Sequence, residues 1–262
     1  MFQVFEAEHE KDPDKKYYDK DMSKDKVALI IGAGDYLGSA IARRFAKEGY
    51  HAVGTRRRGD IESFVKEIGN AGGRATGVHS DARREEQVIE LVENVENEIG
   101  TIEIFVFNIG GNVMFSILDT TTRVYTKVWE MCALAGFLTG REVARRMVSR
   151  KRGTMLFTGA TASVRGSSGF SAFAGGKHAL RALAQSMAKE LMPQNIHVAH
   201  VIIDGPIDTE WTRQRFPDMV KERPEDGLLI PEDIAETYWA IHSQKRSAWT
   251  FETDVRPWVE PW

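Results

Sequence analysis

The sequence predicts a single doubly wound α/β domain on a mostly parallel sheet of about seven strands. Three observations carry this expectation. Short apolar runs alternate with helical patterns along most of the 262 residues, the arrangement of βαβ units. The run "IEIFVFNIG" is almost continuously apolar, as a strand covered by helices on both faces should be. No repeat with a period of about 20–50 residues occurs, and no Pro/Ser-rich linker divides the chain.

In chain order, "KVALIIGAG" reads as the first strand and "YLGSAIARRFAKEG" as the first helix, with Gly49 as its stop. "HAVGT" is a second strand, "IESFVKEIGNAGG" a helix ending in glycines, and "RATGVHSD" a third strand. The amphipathic "REEQVIELVENVENEIG" precedes the fourth strand, "IEIFVFNIG". Helices then flank the fifth strand, "GTMLFTGA"; "IHVAHVIIDG" is the sixth, and "AWTFETDV" the seventh. Residues 1–25 stand apart as a charged extension. Through Lys26 the segment holds eight acids and six lysines, too acidic for a transit peptide and without the apolar core of a signal sequence. It reads as a solvated tail or as an arm whose Phe2, Val4 and Phe5 meet a neighbouring subunit.

The bulk numbers exclude several classes. A net charge of −3 with pI near 6.2 offers no basic surface for nucleic acid. Cys132 is the only cysteine, so intrachain disulfides are ruled out and a cysteine-based metal site is not expected. No apolar run approaches the ~20 residues that span a bilayer. A reducing, cytoplasmic compartment is the expectation.

The stretch "IIGAGDYLGSA" sets Gly32, Gly34 and Gly38 between a buried strand and a helix. Glycines there permit a tight turn and let backbone N–H groups approach a pyrophosphate at the helix N-terminus. At the end of the second strand, "GTRRRGD" carries Arg56 and Arg57 where an NAD site usually has an acid for the ribose 2′-hydroxyl. Guanidinium forks suit a 2′-phosphate. The expected cofactor is therefore NADP(H), with NAD(H) the alternative; Asp35, inside the glycine turn, opposes the phosphate.

Together these features resemble the short-chain dehydrogenase/reductase family, a Rossmann-type fold, from about Lys26 to the C-terminus. The glycine turn is similar to that family's T-G-x-x-x-G-x-G, with Ile31 for the threonine and Tyr36 for the second glycine. Asp81 falls where the family contacts adenine. "FVFNIGG" resembles N-N-A-G, keeping Asn108 and Gly110 with Phe107 at the first asparagine. "IIDGPIDT" resembles P-G-x-x-x-T, with Asp204 at the proline and Gly205, Ile207 and Thr209 kept; Ile207 and Thr209 would lie near the carboxamide.

The resemblance also implies a tetrad of asparagine, serine, tyrosine and lysine, and here the chain departs. Lys177 is present, but Phe173 stands at the tyrosine, Ala160 at the serine thirteen residues earlier, and Cys132 at the asparagine. Carbonyl reduction needs a proton donor within hydrogen-bond reach of the developing alkoxide, and phenylalanine has none. Ordinary ketone reduction is disfavoured, while cofactor binding is not. Asn112, Asp204, Ser163, Ser167 and the Cys132 thiol are the substitutes to examine; His178, His197 and His200 read as structural.

After the sixth strand, residues 205–231 correspond to the family's substrate lid. Trp211 and Phe216 offer apolar area, and Arg213, Arg215 and Lys221 could meet an anionic group. The ending "RPWVEPW" holds Trp258 and Trp262, suited to a pocket rim or subunit contact. Two functions stay open: an atypical NADP(H)-dependent oxidoreductase acting on a small molecule, with reduction of an activated C=C bond attractive, or a non-catalytic dinucleotide-binding sensor, scaffold or complex subunit. The resemblance implies a homodimer or homotetramer built on the helices Cys132 to Met147 and Lys177 to Leu191.

Overall fold

The computed structural model describes residues 4–6 and 25–261. Its strands are β1 (Val4–Glu6), β2 (Asp25–Ile31), β3 (His51–Arg56), β4 (Arg74–His79), β5 (Gly100–Phe107), β6 (Gly153–Thr158), β7 (Ile196–Ile203) and β8 (Glu252–Val255). They form one sheet in the order β1-β4-β3-β2-β5-β6-β7-β8. From β2 to β8 every pairing is parallel. The strand β1 runs antiparallel to β4, with Val4 opposite Val78.

About seven strands were expected from the sequence, and the eighth comes from the charged extension. Without β1, β4 would present an open edge of unpaired backbone groups, and a short antiparallel strand covers it. The side chains of Phe2, Val4 and Phe5 lie outside the described residues.

The helices are α1 (Leu37–Lys47), α2 (Glu62–Asn70), α3 (Glu85–Asn94), α4 (Thr122–Trp129), α5 (Ala135–Arg150), α6 (Ser171–Leu191), α7 (Glu210–Arg215), α8 (Pro217–Glu222) and α9 (Pro231–His242). A π-helical turn, Glu130–Leu134, joins α4 to α5. Because side chains alternate along a strand, each central strand feeds two cores. Ala28, Ile30, Ile104 and Val106 face a layer of Phe45, Phe64 and Tyr238 from α1, α2 and α9. Val27, Leu29, Phe105 and Phe107 face Leu91, Met147 and Leu180 from α3, α5 and α6. Two covered faces explain why the strands read as unbroken apolar runs. The chain winds outward in both directions from β2 and β5, and such a reversal opens a crevice at the strands' carboxyl ends.

One buried and one half-buried histidine fix an acid limit on stability. His200, fully buried on β7, pairs its Nδ1 with Glu252 Oε2 at 2.9 Å, and burial pulls its pKa down to about 4. His242, at the end of α9, hydrogen-bonds Tyr50 and Thr154, and burial likewise lowers it to about 4. Both are neutral in the folded chain while the unfolded chain protonates near pH 6.5. Their stabilisation is therefore complete above that pH and declines as pH falls toward 4, by up to about 1.4 kcal/mol per pH unit for each. Urea denaturation at stepwise pH between 7 and 4 should show this decline; constant stability down to pH 4.5 would contradict it.

Candidate functional site

The glycine turn stands at the crevice. The amides of Gly32 and Ala33 donate to Thr55 O at 3.1 and 2.9 Å, fastening the turn to β3. Gly32 has φ of +93°, a conformation that favours glycine. At Gly38 a Cβ would lie 2.3 Å from Gly32 O, so only glycine lets α1 start this close to the turn. Nothing lies within 4 Å of the corresponding position on Gly34, and no side chain caps the first turn of α1. Open space beside unfilled helix amides is what a pyrophosphate requires.

A cavity of about 730 Å³ begins at these glycines. It passes Asn108 and Gly110 at the end of β5, reaches Ala160, Phe173 and Lys177, and ends against Gly205, Ile207 and Thr209 after β7. Asn108 Nδ2 donates to Gly32 O at 3.1 Å, tying the β5 loop to the glycine turn.

Lys177 is buried, and its Nζ donates to Thr158 O at 2.8 Å and Ile109 O at 3.1 Å. Burial lowers the ammonium's pKa. An ammonium has three donors, so one is left for the cavity. Phe173, one helical turn before it, presents its ring with the centroid 6.0 Å from Nζ. Ala160 contributes a methyl, and its amide donates to Ser163 Oγ at 3.1 Å. Neither position offers a hydroxyl. Cys132 is sealed in the π-helical turn between Gly111 and Gly176, and burial raises its thiol pKa. It does not line the cavity, and a protonated buried thiol is inert.

Several expected residues lie beside the cavity and not on its wall. Arg56 donates from Nε and Nη2 to Ala33 O at 3.1 and 2.9 Å, from Nη2 to Asp35 at 2.7 Å, and from Nη1 to Asp60 O. Its guanidinium thus buttresses the glycine turn from behind. Arg57 is exposed. Asp81 accepts both Nε and Nη2 of Arg83, at 2.8 and 2.6 Å, and this pairing holds its pKa at about 2.

Of the candidate substitute acids, Asn112 and Ser167 line the cavity, whereas Ser163 and Asp204 do not. Asp204 is buried, accepting from Thr161 Oγ1 at 2.6 Å, Arg165 Nη2 at 3.1 Å and Arg256 Nη2 at 2.8 Å. It is a structural anchor. His197 and His200 are held within the β7–β8 region, by Thr250 O at 2.9 Å and Glu252 at 2.9 Å.

The lid comprises α7 and α8. Trp211, Phe216 and Met219 reach the cavity, and the Trp211 and Phe216 rings meet edge-on at 5.7 Å. The lid's cations do not reach it. Arg213 makes two 2.6 Å bonds to Asp208, and Arg215 lies over the Phe216 ring. Besides Lys177, the cation on the wall is Arg165, which stands with Phe170 in the loop before α6. Sequence reading passed over them; a single arginine among small residues in "TASVRGSSGF" was the available signal. At the other end of the chain, Trp258 Nε1 donates to Glu225 O at 3.2 Å and Glu260 pairs with Arg223 at 2.8 Å, so the tail straps the lid's base.

Among the described residues no group of three or more His, Cys, Asp or Glu is placed to hold a metal, and no helix is long and apolar enough to cross a membrane.

Comparison with known proteins agrees with this architecture. The short chain dehydrogenase family matches residues 26–220. Human dehydrogenase/reductase SDR family member 4 is 32% identical over 244 residues, covering 90% of this chain and 87% of that protein. A crystal structure of a short-chain dehydrogenase from Rhodopseudomonas palustris is 47% identical, with a TM-score of 0.75 over 89% of this chain and 98% of that one. A metagenomic short-chain oxidoreductase solved in complex with NADP, 24% identical, shares the fold at a TM-score of 0.75, covering 90% of this chain and 98% of its own. With its glycine turn, its β5 asparagine and its α6 lysine assembled around one crevice, this chain belongs to the short-chain dehydrogenase/reductase family of oxidoreductases.

Proposed function

We propose that the chain is an NADP(H)-dependent oxidoreductase whose proton does not come from a hydroxyl at position 173 or 160. One observation carries this reading: a single cavity joins the open glycine turn to Lys177 and to the apolar lid, while Phe173 and Ala160 stand where donors would be needed. When bound, the nicotinamide supplies or accepts a hydride. Gly34 and the first turn of α1 would hold the pyrophosphate, and the remaining donor of Lys177 would hold a ribose hydroxyl. Phe173, Trp211 and Phe216 would exclude water from the carbon that takes the hydride. Reduction of a carbon–carbon double bond conjugated to a carbonyl suits such a site. There the charge delocalises over the substrate, and the proton goes to the other carbon, next to the carbonyl, where water at the cavity mouth can deliver it.

Titration with NADPH and NADH, followed by transfer of deuterium from 4-labelled NADPH to ketone and enoyl-thioester panels, tests the reading. Deuterium in a saturated thioester supports it. The loss of both hydroxyls and the sealing of Cys132 favour a second reading, a non-catalytic dinucleotide-binding protein; tight NADPH binding with no transfer to any substrate would select it.

The preference for NADPH rests on Arg56 and Arg57, and Asp35 works against it. Asp35 is exposed and holds Arg56 Nη2, so a 2′-phosphate must compete with a carboxylate already in place. Exposed pairs of this kind are worth about 0.2–1 kcal/mol. Asp35→Asn should therefore tighten NADPH binding by about two- to fivefold and leave NADH nearly unchanged. Equal gains for both cofactors would show that Asp35 does not face the phosphate.

The proposed assembly remains a homodimer or homotetramer built on the helices Cys132 to Met147 and Lys177 to Leu191. Ala133 and Ala135 are buried within the chain, whereas Tyr125, Trp129 and Phe137 are exposed along α4 and α5. A second copy of the chain is proposed to cover these rings. Light scattering at micromolar concentration should report at least a dimer, and a monomer would refute it.

A further inference from the structure

We infer that Arg165 is the anchor for a carboxylate carried by the substrate, whose hydrocarbon body lies among Phe170, Phe173, Trp211 and Phe216. This assignment rests on the cavity being a hydride-transfer site. Two charged side chains line the cavity, Lys177 and Arg165; both are cationic and no acid accompanies them. Lys177 spends two donors on the carbonyls of Thr158 and Ile109. Arg165 is differently held. Only its Nη2 is engaged, donating to the two oxygens of Asp204 at 3.1 and 3.4 Å, while Nε and Nη1 make no hydrogen bond among the described residues.

Asp204 fixes this guanidinium from a buried position. It is itself held by Thr161 Oγ1 at 2.6 Å and by Arg256 Nη2 at 2.8 Å, and Arg256 also pairs with Asp254 at 2.8 Å. A guanidinium tethered by one nitrogen, here on a half-exposed side chain, keeps its other N–H directions for an oxyanion. The tether lies at the end of β7, three strands from β2 and its glycine turn. At about 4.8 Å per strand that is roughly 14 Å, which sets Arg165 at the end of the cavity opposite the dinucleotide phosphates. Aromatic walls between the two ends leave room for an apolar body with one charged terminus. A single guanidinium, partly offset by Asp204, suits the single charge of a carboxylate better than the higher charge of a phosphate ester.

The test is calorimetric titration with 3-phenylpropanoate and the neutral 3-phenylpropanamide, with and without NADP, at pH 7.5. The acid should bind at least tenfold more tightly than the amide. Arg165→Met should abolish that difference, and Arg165→Lys should keep part of it. The NADPH affinity and thermal melt of both variants should match the unmodified chain, since Asp204 keeps Thr161 and Arg256. Equal affinity for acid and amide in the unmodified protein overturns the assignment, as does an acid preference that survives Arg165→Met. Inorganic phosphate displacing the acid at equal concentration would overturn the choice of carboxylate. Acid preference without any NADPH binding would strike the hydride-transfer reading alone and uphold the anion anchor.

Discussion

Phe173→Tyr combined with Ala160→Ser should raise ketone reduction with NADPH at least tenfold. The phenol would occupy the cavity wall now held by the Phe173 ring, whose centroid is 6.0 Å from Lys177 Nζ. A buried ammonium at that range favours the phenolate and brings the phenol's pKa down toward neutrality, where proton donation is efficient. The serine would restore a donor to the substrate oxygen. Positioned general acids contribute about 10²–10⁴-fold, so tenfold, or about 1.4 kcal/mol of barrier, is the least that restoration should achieve. The gain should vanish with Lys177→Ala. If the unmodified chain already reduces ketones briskly and Phe173→Tyr changes nothing, another group holds the acid role. Asn112 and Ser167, both on the wall, are then the first to remove. A folded, NADPH-binding double variant without any gain would favour the non-catalytic reading.

Gly38→Ala should cost both stability and cofactor binding, whereas Gly34→Ala should cost binding alone. At Gly38 a methyl would meet Gly32 O at 2.3 Å and Ala33 Cα at 2.8 Å, and both are backbone atoms that cannot swing aside. The start of α1 must withdraw from the turn, and overpacking of this sort costs about 1–3 kcal/mol. At Gly34 nothing lies within 4 Å, so the same methyl is accommodated by the protein and intrudes only on a bound pyrophosphate. Denaturation midpoints beside NADPH titrations separate the two effects. Full NADPH affinity in Gly38→Ala would mean that the dinucleotide does not lie on this turn.

The fold and the glycine turn at its crevice were legible because their signals are local. A strand buried on both faces must be apolar at successive positions, as Val27 to Ile31 and Ile104 to Phe107 are, and this needs no knowledge of the neighbours. A close strand-to-helix turn needs a residue without Cβ, which marked Gly32 and Gly38 in advance. That Phe173 and Ala160 carry no hydroxyl was equally plain, since the lack of a functional group is a property of the residue itself. Lys177, Ala160, Phe173 and the Gly205–Thr209 stretch then met on one cavity wall because parallel strands bring all their carboxyl ends to the same edge.

The partners of the charged groups were settled by tertiary structure. Arg213 looked available for a ligand, but in the fold it is taken by Asp208, and Arg56 reaches a 2′-phosphate only in competition with Asp35. Asp204, a candidate acid by position, became the tether of Arg165 and Arg256, residues 39 and 52 positions away. Long ionic side chains carry no periodic constraint and settle on whichever counter-charge the packed chain brings near. Residues 4–6 likewise became a strand only because β4 ended the sheet with an unpaired edge beside them. Apolar periodicity and glycine geometry are therefore readable along the chain, whereas ion pairing and edge pairing depend on distant segments that meet only after the sheet has formed.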